Sequence, residues 1–151
     1  MPPAPRRLRA LAVAVVLHRD HVLCAEGYDS VKRETFYRPL GGEIEFGERA
    51  EDAAVRELAE ETGRRIAIRG ALGVVENLFT YDGKPGHEVV FEFVAEFAPG
   101  EEPPDLSPIV AREGRHTFTA RWLHLAEVLA GAHTVYPDDL PSRLAEWVNR
   151  L

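Results

Sequence analysis

A single cysteine, Cys24, leaves this 151-residue chain without a disulfide framework and without a four-cysteine zinc site. That usage fits a reducing compartment, and the cytoplasm is the expected location. Basic charge is also in short supply: 18 Lys and Arg stand against 25 Asp and Glu, a formal net charge of −7. Extended nucleic acid and anionic membranes are held by basic surfaces, so neither is expected as a partner. A small anionic substrate stays admissible where divalent cations cancel the local charge. No apolar run approaches the roughly 20 residues that cross a bilayer. The nearest imitation of a targeting segment is Ala10 to Leu17 behind Arg6, Arg7 and Arg9. It is short and rich in Val, and His18, Arg19 and Asp20 follow where a small-residue cleavage site belongs, so a buried strand explains it better.

What is present is the composition of a soluble globular protein: 45% hydrophobic, 28% charged and 9% aromatic residues. The length suits one domain over residues 1–151, with Pro2, Pro3 and Pro5 marking a frayed start over about residues 1–7. Leu11 to Leu17 and His21 to Ala25 read as two strands around a turn at His18 to Asp20. Gly27 to Arg33 reads as a polar loop, and Thr35 to Tyr37 as a short extended piece that Pro39 and the Gly41-Gly42 pair bring to an end. Arg49 to Thr62 predicts a helix stopped by Gly63. Ile66 to Val75, Glu88 to Phe97 and Thr117 to Leu123 carry the β-branched and aromatic enrichment of strands of one sheet. Glu101 to Pro108 reads as an acidic, Pro-rich loop and Leu125 to Ala130 as a short helix. Leu140, Leu144, Trp147, Val148 and Leu151 recur at helical spacing, with Pro141 in the first turn. The pattern predicts a mixed sheet flanked by helices, α+β or α/β in class.

The helix at Arg49 to Thr62 concentrates chemistry. At about 100° per residue, Glu57, Glu60 and Glu61 share an arc of roughly 100°. Like charges at i and i+4, here Glu57 and Glu61, destabilise an isolated helix, so something should offset them. Hard divalent cations choose such oxygen donors, and Mg²⁺ leaves coordination positions for water and phosphate. The plain alternative is a solvated acidic face with Arg49 and Arg56 as ordinary helix partners.

Context separates these readings. Gly42 is followed after five residues by Glu48, and after seven more by Arg56-Glu57-Leu58-Ala59-Glu60-Glu61-Thr62-Gly63. This resembles the Nudix box, G-x5-E-x7-R-E-U-x-E-E-x-G-U with U aliphatic, at all but its last position. Arg64 replaces the final aliphatic residue, and Leu40 stands before the glycine pair where many members have Pro, with Pro39 displaced by one. The flanking strands and the C-terminal helix suit the α/β/α sandwich of that superfamily.

The resemblance implies hydrolysis of a phosphate anhydride in a nucleoside diphosphate-linked substrate, with Mg²⁺ or Mn²⁺ and a water attacking phosphorus. It implies Glu57 and Glu61 as the core metal ligands, Glu60 as a further ligand or a group acting through metal-bound water, and the Gly41 carbonyl as another. Glu48 would assist from the loop, and Arg56 would hold the carboxylates by ion pairing. A general base can come from this helix or from a later loop, where Glu113 is the candidate, a surface acid being its alternative.

Arg38 beside the glycine pair is the expected phosphate partner, with Lys32, Arg33 and Lys84 behind it. Tyr37, Phe79 and Tyr81 could stack on a base, or simply fill core. His87 could contact substrate or move a proton, or be a structural histidine. Specificity is expected in Gly27 to Arg38, Asn77 to His87 and Pro99 to Arg115. A Nudix-fold binding or regulatory module and a diphosphate isomerase are the alternatives, and a homodimer is plausible by analogy.

Overall fold

Described over residues 6–151, the chain folds in this computed structural model into seven strands and three helices. Of the start expected to fray, residues 1–5 lie outside that range, and Arg7 is tied to Glu43 by a 3.0 Å ion pair. The apolar run behind the arginines is β1 (Arg9–His18), with Leu11 to Val16 all buried. Arg19 and Asp20 take the left-handed conformation, at φ 47° and 60°, and return the chain as β2 (His21–Asp29). There follow β3 (Glu34–Glu43), α1 (Ala50–Thr62), β4 (Ile66–Tyr81), β5 (Lys84–Phe97), β6 (Ile109–Glu113), β7 (His116–His124), α2 (Leu125–Leu129) and α3 (Leu140–Asn149).

The strands lie in the order β4-β5-β1-β3-β2-β7-β6, with β1 and β5 parallel and the other neighbours antiparallel. This is the mixed sheet between helices that the sequence predicts. On one face α1 packs through Ala53, Ala54 and Leu58 against Ala12, Ala14, Leu23 and Leu40. On the other, α2 and α3 set Val128, Leu140 and Leu144 against Val15, Val22 and Val94. Among the described residues no helix is long and apolar enough to cross a membrane.

Four expectations need correction. Gly27 to Asp29 is strand rather than loop, because Gly27 gives room to the Phe36 ring of the paired strand, which a Cβ would meet at 2.5 Å. Pro39 and the glycine pair do not end the extended segment. Instead β3 changes partner there, pairing with β2 as far as Pro39 and with β1 from Leu40 to Glu43. A residue without an amide hydrogen is tolerated where the ladder changes partner, and Gly41 admits a close pass of β1, whose Val13 Cα would lie 2.7 Å from an added Cβ. The strand expected to stop at Val75 runs to Tyr81, so Asn77 to His87 is the end of a hairpin closed by Asp82 and Gly83 at φ 49° and 78°. Finally, the Pro99 to Arg115 segment expected to carry specificity is not all loop, since Ile109–Glu113 within it is β6, paired with β7.

Candidate active site

The loop entering α1 is fastened to the helix by one guanidinium. Arg56 donates through Nε and Nη2 to the two oxygens of Glu48, at 2.8 and 3.0 Å, and through Nη2 to the Glu43 carbonyl at 3.0 Å. Its Nη1 donates to Glu57 at 3.0 Å and to Glu60 at 3.3 Å. A planar fork with five donors can serve this many acceptors, which an ammonium group cannot do in one plane. The Arg56 bond, followed by the Glu45 amide, holds Glu48 below the ordinary carboxylate range.

Of the three clustered acids of α1, Glu57 and Glu61 are drawn out of solvent while Glu60 stays exposed. The inward face of the helix includes Ala53, Ala54, Leu58 and Glu61, so the apolar side that docks on the sheet draws Glu61 in with it. Glu57 leans over the backbone of β3, where a Cβ on Gly42 would stand 2.6 Å from both of its carboxylate oxygens. Burial raises Glu57 above its usual range, and Arg56 opposes the rise. Glu61 is only 5% exposed, and its Oε1 is buried with no partner among the described residues. Burial first, then the charges of Glu57 and Glu113, push it up to about 9 against the pull of Arg38.

These groups line one cleft of about 310 Å³ together with Glu43, Glu113, Arg9 and Arg112. Buried like charges without a counter-ion are unfavourable. A divalent cation fits the donor set, because the ligands are carboxylate oxygens, one of them lacks a partner, and Gly42 leaves the space that Glu57 occupies. Among the described residues no three acidic, histidine or cysteine side chains stand as a formed cage. Glu57 and Glu60 turn oxygens to Arg56 instead.

The family profile described as NUDIX domain matches residues 8–146. The chain belongs to the Nudix family. A relative from Mycobacterium tuberculosis named "Putative mutator protein MutT4" is 34% identical over 110 residues, 73% of this chain and 40% of that protein. The chain thus spans less than half the length of that relative. Among solved structures, a NUDIX hydrolase from Nitrosomonas europaea superposes with a TM-score of 0.65 at 19% identity, covering 95% of this chain and 90% of that one. A MutT NUDIX hydrolase from Burkholderia pseudomallei gives 0.56 at 22% identity, covering 80% and 86%. Both likenesses concern the fold.

Within the Nudix frame the predicted residues divide into two groups. Glu57, Glu60, Glu61 and Glu113 meet in the cleft, and Arg56 and Glu48 brace it from the loop side. Gly42 lines the cleft, while Gly41 pairs with Val13 on β1. Arg38 is exposed, and its charge reaches both Glu61 and Glu88. The aromatic candidates and His87 stand apart from this lining. Tyr37 packs with the α2 and α3 side, its ring 5.6 Å from that of His133 and its hydroxyl donating to Glu26 at 3.3 Å. Phe79 covers Gly86, and Tyr81 sets its ring edge-to-face with Phe36 at 5.7 Å. His87 pairs with Glu76 across the hairpin at 2.9 Å.

Sequence reasoning missed Arg9, Glu43 and Glu88. Glu43 lies one residue past the glycine pair and was within reach of the motif. Arg9 and Glu88 meet only because β1 and β5 pair in parallel across a sequence separation of 79, a register that no local signal encodes. Arg64, the departure at the end of the box, donates to the Glu101 carbonyl at 2.9 Å and so pins the loop after β5.

Proposed function

We propose that this protein hydrolyses a phosphate anhydride in a nucleoside diphosphate-linked substrate, with Mg²⁺ or Mn²⁺ as the required cation. The supporting observation is the convergence of Glu57, Glu60, Glu61 and Glu113 in one cleft, with a buried oxygen of Glu61 unpartnered among the described residues. Membership of the Nudix family gives this arrangement its chemical direction.

In this reading Glu57 and Glu61 hold the cation, with Glu60 and the Gly41 carbonyl as further donors. When bound, the cation neutralises phosphate oxygens and lowers the pKa of water in the site. Arg56 ties Glu57 and Glu60 together and locks the loop through Glu48, so its contribution is positional. Glu113, on the opposite wall at the end of β6, takes the proton of the attacking water as general base. Arg38 meets the phosphate oxygens that face away from the carboxylates.

A chromatographic assay of nucleoside triphosphates, nucleotide sugars and dinucleoside polyphosphates tests the proposal, run with Mg²⁺, with Mn²⁺ and with a chelator. The expected result is turnover of one class, restored by adding cation after chelation. Turnover indifferent to the chelator would contradict the proposal, and binding without turnover would assign the chain to a Nudix-fold regulatory module.

A further inference from the structure

Strand β5 buries two carboxylates that point to the same side of the sheet, Glu88 at 5% and Glu92 at 0% exposure. Each meets an arginine from another element. Glu92 accepts from Arg143 at 3.3 Å and belongs to the docking of α3. Glu88 has no such packing role. The register of β1 on β5 sets it directly opposite Arg9, whose Nη1 donates to it at 3.4 Å. Asn77 of β4 stands opposite it in the register, and the charge of Arg38 reaches it.

Arg9 in turn lines the cleft that holds Glu57, Glu60, Glu61 and Glu113. Its second neighbour is Glu43, 3.6 Å from Nε, and that nitrogen is buried without a hydrogen-bond partner among the described residues. Both contacts are long for a guanidinium and a carboxylate, which prefer about 2.7–2.9 Å. The side chain is therefore oriented by two acids without being saturated by them. It stands as a cation at the wall of an acidic cleft, with donor capacity to spare. A diphosphate whose inner oxygens face cation-binding carboxylates needs donors on its outer oxygens, and a planar fork serves two of them at once.

We infer that Arg9 binds the substrate diphosphate directly, across the cleft from the acids of α1, and that Glu88 is the positioning residue that aims it. The inference rests on the reading of the cleft given under Proposed function. Burial of Glu88 suits this role, since a carboxylate shielded from water holds its partner in one orientation where an exposed one would release it. Without Glu88, the guanidinium is free to swing to the other carboxylates nearby.

The test measures binding of methylenediphosphonate, a non-hydrolysable diphosphate, by calorimetry in Mg²⁺, for wild type, Arg9→Met, Arg9→Lys and Glu88→Gln. Mg²⁺ binding alone is titrated on the same samples. Loss of charged hydrogen bonds predicts an affinity about 10- to 100-fold weaker for Arg9→Met. A smaller loss is expected for Arg9→Lys, which keeps the charge and loses the fork. Glu88→Gln, which keeps the shape, should weaken diphosphonate binding several-fold and raise KM for a turned-over substrate more than it lowers kcat. Mg²⁺ affinity should stay unchanged throughout. Should Arg9→Met fail to fold, Arg9→Lys and Glu88→Gln decide the matter.

Wild-type affinity in all three variants, or no diphosphonate binding by wild type, would overturn the inference. So would losses matched by equal losses of Mg²⁺ binding. The proposed function fails separately: a protein that binds diphosphonate through Arg9 and cleaves no anhydride refutes that reading alone. One that cleaves an anhydride equally well with Arg9→Met refutes only the role of Arg9.

Discussion

At the scale of single residues, the cleft works through fine steric and electrostatic fits. Gly42 is the plainest case, since its missing Cβ is the space the Glu57 carboxylate occupies. Gly42→Ala is expected to fold, because the position is ordinary extended strand, yet to displace Glu57. Misplacement of a reacting group by about an ångström can cost on the order of 100-fold. Steady-state kinetics beside a melting curve checks this: turnover should fall far more than Tm. Glu92, on the other face, supplies a pH prediction. Burial first and then Asp139 push it from 4.5 up to about 7, against Arg143. The folded state thus binds the proton more tightly than the unfolded one. Its favourable contribution is complete below pH 4.5 and is lost as pH rises through about 7. Glu92→Gln removes this loss. The variant should gain stability over wild type at pH 8 relative to pH 5, by on the order of 2 kcal/mol, in denaturant melts at the two pH values.

At the scale of elements, α1 shows what sequence can deliver. Its strong helix formers, its stop at Gly63 and its acidic face were all legible, because each depends on neighbours within a turn or two. Gly63 takes φ 73° and donates its amide to the Ala59 carbonyl, as its place after the last turn requires. The strands were less legible wherever their course depends on distant partners. Pro39 and the glycine pair carry the local signature of a chain break. They mark instead the point where β3 exchanges β2 for β1. The Asp82-Gly83 turn is a recognised hairpin signal, but its flanking strands are exposed on alternate residues, which hides them among polar loops. The same dependence on distant partners governs α3, whose Trp147 ring rests on Gly70 of β4 and leaves no room for a methyl group. Gly70→Ala should therefore lower stability by about 1–3 kcal/mol through overpacking. Chemical denaturation measures this, and turnover at low temperature should be kept.

At the scale of the whole molecule, the ends of two hairpins are clasped. Asp29 is buried at the end of β2 and accepts from the amides of Val31, Lys32 and Asp82, while Asp82 accepts from the amide and hydroxyl of Ser30. The Lys32 amide is the main cause that holds Asp29 below its usual range, so this clasp is present above that range and weakens as pH falls through it. Asp29→Ala should speed amide hydrogen exchange in both hairpin ends, near Ser30 and near Asp82, and leave α1 as protected as before. Such locality would separate the frame from the cleft and its carboxylates. Metal-dependent cleavage at those carboxylates is tested by comparing wild type with Glu57→Gln for Mn²⁺ binding and for anhydride cleavage on the same preparations. The variant is expected to stay folded, to bind Mn²⁺ more weakly and to lose turnover together with the cation. A folded Glu57→Gln protein that cleaves the anhydride at the wild-type rate would contradict that expectation.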